Sequence, residues 1–514
     1  MTPDSTRTAV ATACDADARR FAALRMGVGL IASFLCSAAA AALVALTNGN
    51  LLVVPAVCAG VLFVVLLVQH LEIGVYVLLA AVMLLDQFLV IGIPSSFSVQ
   101  SAKFYQNLNY TTGIGALMLN PVELLLLLIV AGWFFRAVTT RKWHFHRVPN
   151  MGIAVVFLLM LVFFTGYGLL RGGGDWKAAL WEIRSLYYLC FMYFLVTQVI
   201  RTSKQVRVCV WIIILGLSFR GLQGSWRYFF TLHRDLGHLR AILGHEDSLF
   251  FVTGFVLLAS LGFLGYRGRE MKVLAATALP NLIAFVFNQR RVTFGVLGLC
   301  LGLVVLLLPR DRFRLALRVI IPGALLLVMY TAMFWNSTGA KALPAQKIKS
   351  VFVKQEGSDD EGSNEWRKKE LVNLRATLMA YPQGVGFGQK YLVVVPYADI
   401  GEYFPLWNYI PHCAIYWIWV KTGFAGFAVF WLFFGVAIVQ GMIDYRAMRD
   451  PYLKAVSLMV VLFIVGQVVV SYYDLQLTYY RNMIYLGTAM ALGTIVRRID
   501  SRTPAVASGE VDGR

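Results

Sequence analysis

Met151-Gly-Ile-Ala-Val-Val-Phe-Leu-Leu-Met160-Leu-Val-Phe-Phe-Thr-Gly-Tyr-Gly-Leu-Leu170 runs twenty residues without a charge. Wound as a helix at 1.5 Å per residue it is about 30 Å long, the thickness of a bilayer's hydrocarbon core. Inside such a core only a helix or a closed barrel bonds every backbone N–H and C=O. Runs of about 17 to 25 apolar residues recur from end to end of this chain. It has 514 residues, 59% of them hydrophobic and 14% charged, and a mean hydropathy of +0.69. The pattern reads as an all-α polytopic membrane protein with about 12–14 transmembrane helices, and it excludes an ordinary soluble domain.

Outward from that run, further spans are expected near 26–46, 51–69, 73–93, 120–137, 185–200, 207–222, 248–266, 273–288, 292–308, 319–336, 423–442, 455–472 and 483–497. The basic residues orient them. Arg7, Arg19 and Arg20 precede the first span, and the loops Arg136–Arg147, Arg201–Arg207, Arg267–Lys272 and Arg310–Arg318 then all fall on the same side. Short loops rich in Lys and Arg stay in the cytoplasm, so both termini are expected inside and residues 337–411 outside. The first span is longer than a signal-peptide core and is expected to remain uncleaved. One ambiguity concerns His412 to Val420. If that segment crossed the membrane, the basic loop Arg446–Lys454 would be forced outside, so it is read as a short surface helix. The resulting organisation is a cytoplasmic tail (1–22), N-terminal transmembrane helices (23–180), a transmembrane core with arginine-bearing outward loops (181–336), a large periplasmic loop (337–422), C-terminal helices (423–498) and a second tail (499–514).

The formal net charge of +19 follows from the same loops and does not require a nucleic-acid partner. The seven cysteines form no CxxC pair and sit mostly in apolar runs, so neither a disulfide framework nor a metal site is expected. No P-loop, GxSxG elbow or HExxH is present, which removes ATP-driven transport, serine hydrolysis and zinc proteolysis. No DxD-like metal–nucleotide site lies in the inside loops either.

The chemistry is concentrated outside. Asn364 to Tyr381 reads as a helix whose Arg367, Leu371, Arg375 and Met379 recur every four residues, stopped by Pro382. Gly384-Val-Gly386-Phe-Gly388 lets the backbone approach a neighbour or a ligand closely. Pro411-His412 opens an aromatic run, where His412 is either a base or an interfacial histidine packed between Tyr409 and Tyr416. Asn288-Gln289-Arg290-Arg291 places two arginines on an outward turn against the usual charge bias. Arg184 is expected to pair with Glu182 or Asp175, or else to support a site. Arg240 supports a site or snorkels to lipid phosphate. Glu356 to Glu361 reads as a solvated turn. Guanidinium forks suit a diphosphate, and an imidazole suits removal of a hydroxyl proton.

In this order and spacing the residues resemble the O-antigen ligase and Wzy-type polymerase superfamily of bacterial envelope glycosyltransferases. Arg367, Pro382, Gly384, Gly386, His412 and Gly423 stand at the spacings of the family's arginine helix, Pro-x-Gly-x-Gly turn and periplasmic histidine. Gln289-Arg290-Arg291 is similar to its Ser-Arg turn, and Arg184-Ser-Leu-Tyr187-Tyr188 to its Arg-x-x-x-Tyr-Tyr segment. Leu371 stands where a tryptophan is common, and Cys413 replaces the usual asparagine. The resemblance implies a GT-C-like fold in the bacterial inner membrane and an inverting, metal-independent transferase without a cofactor. The donor would be a glycan on undecaprenyl diphosphate and the acceptor a glycan or lipid A-core hydroxyl. Arg290 or Arg291 with Arg367 would hold the diphosphate, Arg375 standing in reserve, and His412 would be the base. The competing reading is a polytopic secondary transporter or a flippase of envelope glycans or lipids, which would normally show internal repeats and mid-span charges.

Overall fold

Each expected apolar run that meets the structure contains a helix, as a backbone without water to bond requires. The structure is a computed structural model and describes residues 34, 37, 53–89, 96–115, 117–139, 145–236, 239, 241–337, 339–352, 359–397, 399–402 and 404–502. The expected first span, about 26–46, lies almost wholly outside the described residues. So do Arg240 and most of both tails.

In chain order the helices are α1 (Val53–Gln69), α2 (Leu71–Leu84), the short α3 (Ser96–Ala102) and α4 (Asn109–Thr112), α5 (Pro121–Thr139), α6 (Met151–Leu170), α7 (Trp176–Val199) and α8 (Ser203–Trp226), which a π-helical turn at Arg227–Thr231 extends. There follow α9 (Asp247–Phe263), α10 (Arg269–Ala276), α11 (Ala278–Phe287), α12 (Arg291–Leu307), α13 (Arg310–Met333), α14 (Leu343–Phe352), α15 (Asp359–Ala380), α16 (Ala414–Ala447), α17 (Pro451–Ser471) and α18 (Tyr480–Arg502). No strand occurs among the described residues.

The described residues account for part of the expected 12–14 transmembrane helices by length and composition. Among the described residues seven helices are long and apolar enough to cross a membrane: α5, α6, α7, α8 with its π turn, α13, α16 and α17. Two bent pairs raise the number to nine. Three physical reasons account for the difference. The expected spans at 51–69 and 73–93 are one bent pair, turning through 118° around His70, and the span at 273–288 is another, bent by 47° near Thr277. Helices α9 and α12 have 17 residues each, about 25 Å of rise, so they fall short of a full core. Helix α18 carries Arg481, Arg497 and Arg498 and is surrounded by protein, with Met483 to Leu486 and Ala489 to Leu492 buried. In contrast Leu325 to Met329 of α13 are more than half exposed, an apolar surface suited to lipid.

The centre of the bundle is α18 packed along α7, with α17 bridging α9, α16 and α18. Local capping defines the ends. Asp175 accepts from the backbone of Lys177 and Ala178 to start α7, and Thr202 with Gln205 forms a capping box on α8. Helix α16 departs from helical geometry at one residue, Gly423 (φ 59°, ψ −165°). The break therefore falls where the expected short helix ends and the expected span begins. The short piece does not lie on a surface, however: Ile415, Trp417, Ile418 and Val420 are buried.

Candidate functional site

The site rests on the glycine turn, and here the glycines meet protein. Gly384, Gly386 and Gly388 all have φ between 81° and 89°, the left-handed region that favours glycine. A Cβ on Gly386 would stand 2.4 Å from the Gly168 Cα, and one on Gly384 would stand 2.5 Å from the Gly423 backbone nitrogen. The turn thus wedges between α6 and the broken point of α16. The Val385 and Gly386 N–H groups donate to the Val420 and Lys421 carbonyls at 2.9 Å, and the Phe387 N–H donates to Phe164 at 3.1 Å. A buried ion pair secures it. Glu182 accepts from Lys421 Nζ at 2.8 Å, from Trp417 Nε1 at 3.1 Å and from the Gly388 N–H at 2.6 Å, and Lys421 also donates to the Gln389 carbonyl. Both charges are fully buried, and each is satisfied by the other together with a backbone group of the turn. Gly384 and Gly386, expected among supporting site residues, are thus fasteners of the loop, because their open faces are occupied by backbone.

Helix α15 stands on this base and presents two faces. Asn373 and Thr377 hold the following loop, accepting from the N–H groups of Val394, Val395 and Leu392 at 2.7–2.9 Å. Glu370, one turn before Asn373, points the same way and is 3% exposed. Its Oε2 accepts the His412 backbone N–H at 2.9 Å, and its Oε1 lies 3.2 Å from His412 Nδ1. The His412 side chain is about one-third exposed and meets the Trp366 ring edge-on. It is not sandwiched by Tyr409 and Tyr416. Arg375 is exposed on the other face of α15, near enough to Tyr472 to act on its hydroxyl.

Arg290 arrives from another part of the chain. Buried Asn288 clasps the preceding loop, accepting from the Ile242 and Leu243 N–H groups at 3.2 and 2.9 Å and donating to the Gly244 carbonyl and Ser248 Oγ at 2.9 and 2.8 Å. Gln289 then takes a left-handed conformation (φ 54°), and Arg290 is extended at the start of α12. Burial lowers the Arg290 pKa from its ordinary value, with the Arg367 guanidinium contributing as a like charge and Asp474, Tyr479 and Glu246 opposing. The buried Nε of Arg290 has no hydrogen-bond partner, nor has the buried Nε of Arg367. Arg290 thus lies within electrostatic reach of Arg367. Arg291 begins α12 and is half-buried.

Three residues not singled out from the sequence complete the wall. Asp474 lies on the loop between α17 and α18, 3.9 Å from His245 Nδ1, and the Tyr479 hydroxyl is 3.4 Å from the same nitrogen. Burial by itself would raise the Asp474 carboxyl, but His245 and Arg290 outweigh it and hold the group below the usual carboxylate range. Glu246 and Asp247 turn inward, leaving His245 at the wall.

Behind the wall is a separate set of charges. Arg220 bonds Asp86 at 2.5 Å and also Asp247, while Arg481 reaches Glu246 at 2.6 Å and Asp247 at 2.9 Å. Arg227 donates to Ser98 Oγ at 2.9 Å and the Ile242 carbonyl at 2.8 Å. All six ionic groups are buried.

Arg184 is elsewhere. Its Nε is 2.7 Å from Glu123, and its other nitrogens donate to Asn107 Oδ1 at 2.7 Å and the Met118 carbonyl at 2.6 Å. Its expected partners are otherwise engaged, Glu182 with Lys421 and Asp175 as a helix cap. Arg184 is a structural tie between α5, α7 and the loop before α5. The sequence matches no known family model and no curated protein.

Proposed function

We propose that the protein is a membrane glycosyltransferase that moves a glycan from a lipid-linked diphosphate to a sugar hydroxyl. The observation that carries this reading is the juxtaposition of Arg290 and Arg367, like-charged guanidiniums with orphaned buried Nε–H groups, in the site that also holds His412. Two such cations are costly to hold together unless an anion joins them, and a diphosphate offers several oxygens to planar forks. The donor fitting this chemistry is a glycan on undecaprenyl diphosphate, and the acceptor is a glycan or lipid A-core hydroxyl. In this reading the site lies at the periplasmic face of a bacterial inner membrane, which the alternation of basic loops along the sequence supports.

The acceptor oxygen attacks the anomeric carbon as its proton passes to His412. The anomeric C–O bond breaks, and its electron pair leaves with the diphosphate, whose added charge the arginines compensate. Attack opposite to departure inverts the anomeric centre. Arg375 is the reserve anion ligand on the rim.

The test uses purified protein in lipid nanodiscs, with pyrophosphate and a fluorescent undecaprenyl-diphosphate glycan as probes. Arg367→Lys keeps the charge and loses the fork, and should weaken pyrophosphate binding about tenfold or more. His412→Ala should bind pyrophosphate normally while transfer falls by about two orders of magnitude or more. Near-normal transfer by both variants, or movement of intact donor without a new glycosidic bond, would replace this reading with a transporter or flippase.

A further inference from the structure

We infer that Glu370 is the positioning residue of the reaction: it fixes which nitrogen of His412 takes the proton. The inference rests on the transferase reading for its kinetic consequences, but its structural half stands alone. An imidazole presents one N–H and one lone pair, and a base with the wrong tautomer toward its substrate cannot act. The carboxylate of Glu370 is gripped at both oxygens by one residue, Oε2 by the His412 backbone N–H at 2.9 Å and Oε1 by Nδ1 at 3.2 Å. An ionised carboxylate only accepts, so the proton sits on Nδ1 and the lone pair on Nε2. The backbone bond matters as much as the ring bond, since it stops the carboxylate from swinging while the ring is held.

The surroundings hold the carboxylate in place. Glu370 is 3% exposed on a helix whose next turn, Asn373, is itself bonded to Val394 and Val395. The groups that face the pair are the Tyr391 and Tyr397 hydroxyls, the Cys413 thiol and the Trp366 ring. Among them His412 is the residue whose backbone N–H and ring Nδ1 meet the two carboxylate oxygens. When Nε2 accepts the acceptor's proton, the imidazolium is stabilised through Nδ1–H and the carboxylate stays ionised. The proton leaves from Nε2 to water after the product departs. The helix that carries Glu370 also carries Arg367 one turn earlier, so one rigid element sets both the base and a ligand of the leaving group.

Two measurements on the full-length protein test this. In the first, ¹⁵N-histidine-labelled protein is examined by NMR, and the His412 signal is assigned by difference from His412→Gln. Neutral His412 is expected as the Nδ1–H tautomer, and Glu370→Gln should give a mixture. In the second, transfer is compared between the parent and two variants. The maximal rate of Glu370→Gln should fall about 10- to 100-fold, with pyrophosphate affinity unchanged. Glu370→Asp keeps an accepting carboxylate and should recover part of that rate, which separates this role from general damage to the fold. An unchanged tautomer ratio with an unchanged rate in Glu370→Gln would overturn the inference. Absence of transfer in the wild type would count against the transferase reading instead, and the tautomer spectrum would still decide the Glu370–His412 pairing.

Discussion

Two groups of arginines lie close together in this protein and are treated in opposite ways. Arg220, Arg227 and Arg481 are buried with Asp86, Glu246 and Asp247, three cations with three anions; Arg220 and Arg481 bond the carboxylates at 2.5–2.9 Å, and Arg227 stands 3.8 Å from Asp86. Arg290 and Arg367 come from α12 and α15, repel one another, and keep a buried N–H unbonded on each side chain. The first group is complete without a ligand. The second has the Asp474 and Glu246 carboxylates acting on Arg290 but leaves those N–H groups unbonded, and in the function proposed above a diphosphate would bond them.

Breaking the balanced group should have the largest effect. Arg481→Gln leaves Glu246 and Asp247 as buried carboxylates with less than their share of positive charge, a loss of about 3–5 kcal/mol. The expected outcome is a fall in apparent melting temperature on the order of 10 °C in detergent, or failure to accumulate, read by a thermal-shift assay. A fully stable Arg481→Gln would show that the network contributes little.

The same chemical change in the second group should do the reverse. Arg367→Gln removes a like-charge repulsion, so the melting temperature should stay within a degree or two of the parent or rise. Pyrophosphate should then no longer stabilise the protein, whereas it raises the melting temperature of the parent. Equal destabilisation by Arg367→Gln and Arg481→Gln would erase the distinction.

The smallest effect sharpens the boundary between the groups. Asp474 faces Arg290 and His245 and has a lowered carboxyl pKa. A carboxyl depressed on folding contributes stability that is full above the ordinary aspartate value, about 3.9, and is lost as pH falls through the folded value. Asp474→Asn should therefore lower the melting temperature by a few degrees at neutral pH and flatten the acid side of the profile, parent and variant converging at low pH. An identical acid limb in parent and variant would remove Asp474 from the electrostatics of the wall.

Much of this was legible along the chain, and the part that was not has a common cause. The run 151–170 coincides with α6, and the break before the C-terminal span falls at Gly423. Arg290, Arg367 and His412 were singled out because their order and spacing are local properties. Glu370 was not: it is one charge in Arg367-Lys-Lys-Glu370, and only its facing across to a residue 42 positions later distinguishes it from its neighbours. Arg184 shows the converse. Its sequence neighbours Asp175 and Glu182 offered themselves as partners, yet the fold spends one on a helix cap and the other on Lys421, and brings Glu123 instead.

By itself the sequence determined that the protein is helical, that it has apolar helices able to cross a membrane, and where its polar chemistry gathers. Those properties depend on hydrogen-bond closure and hydropathy, which act over neighbouring residues. Only the tertiary structure decided where apolar runs bend, that the glycine turn is a fastener, and which buried arginines are paired with carboxylates. A helix bends, a Cβ collides or a charge is neutralised because of what lies across the fold, and in a bundle of this length the atoms across the fold come from distant positions in the chain.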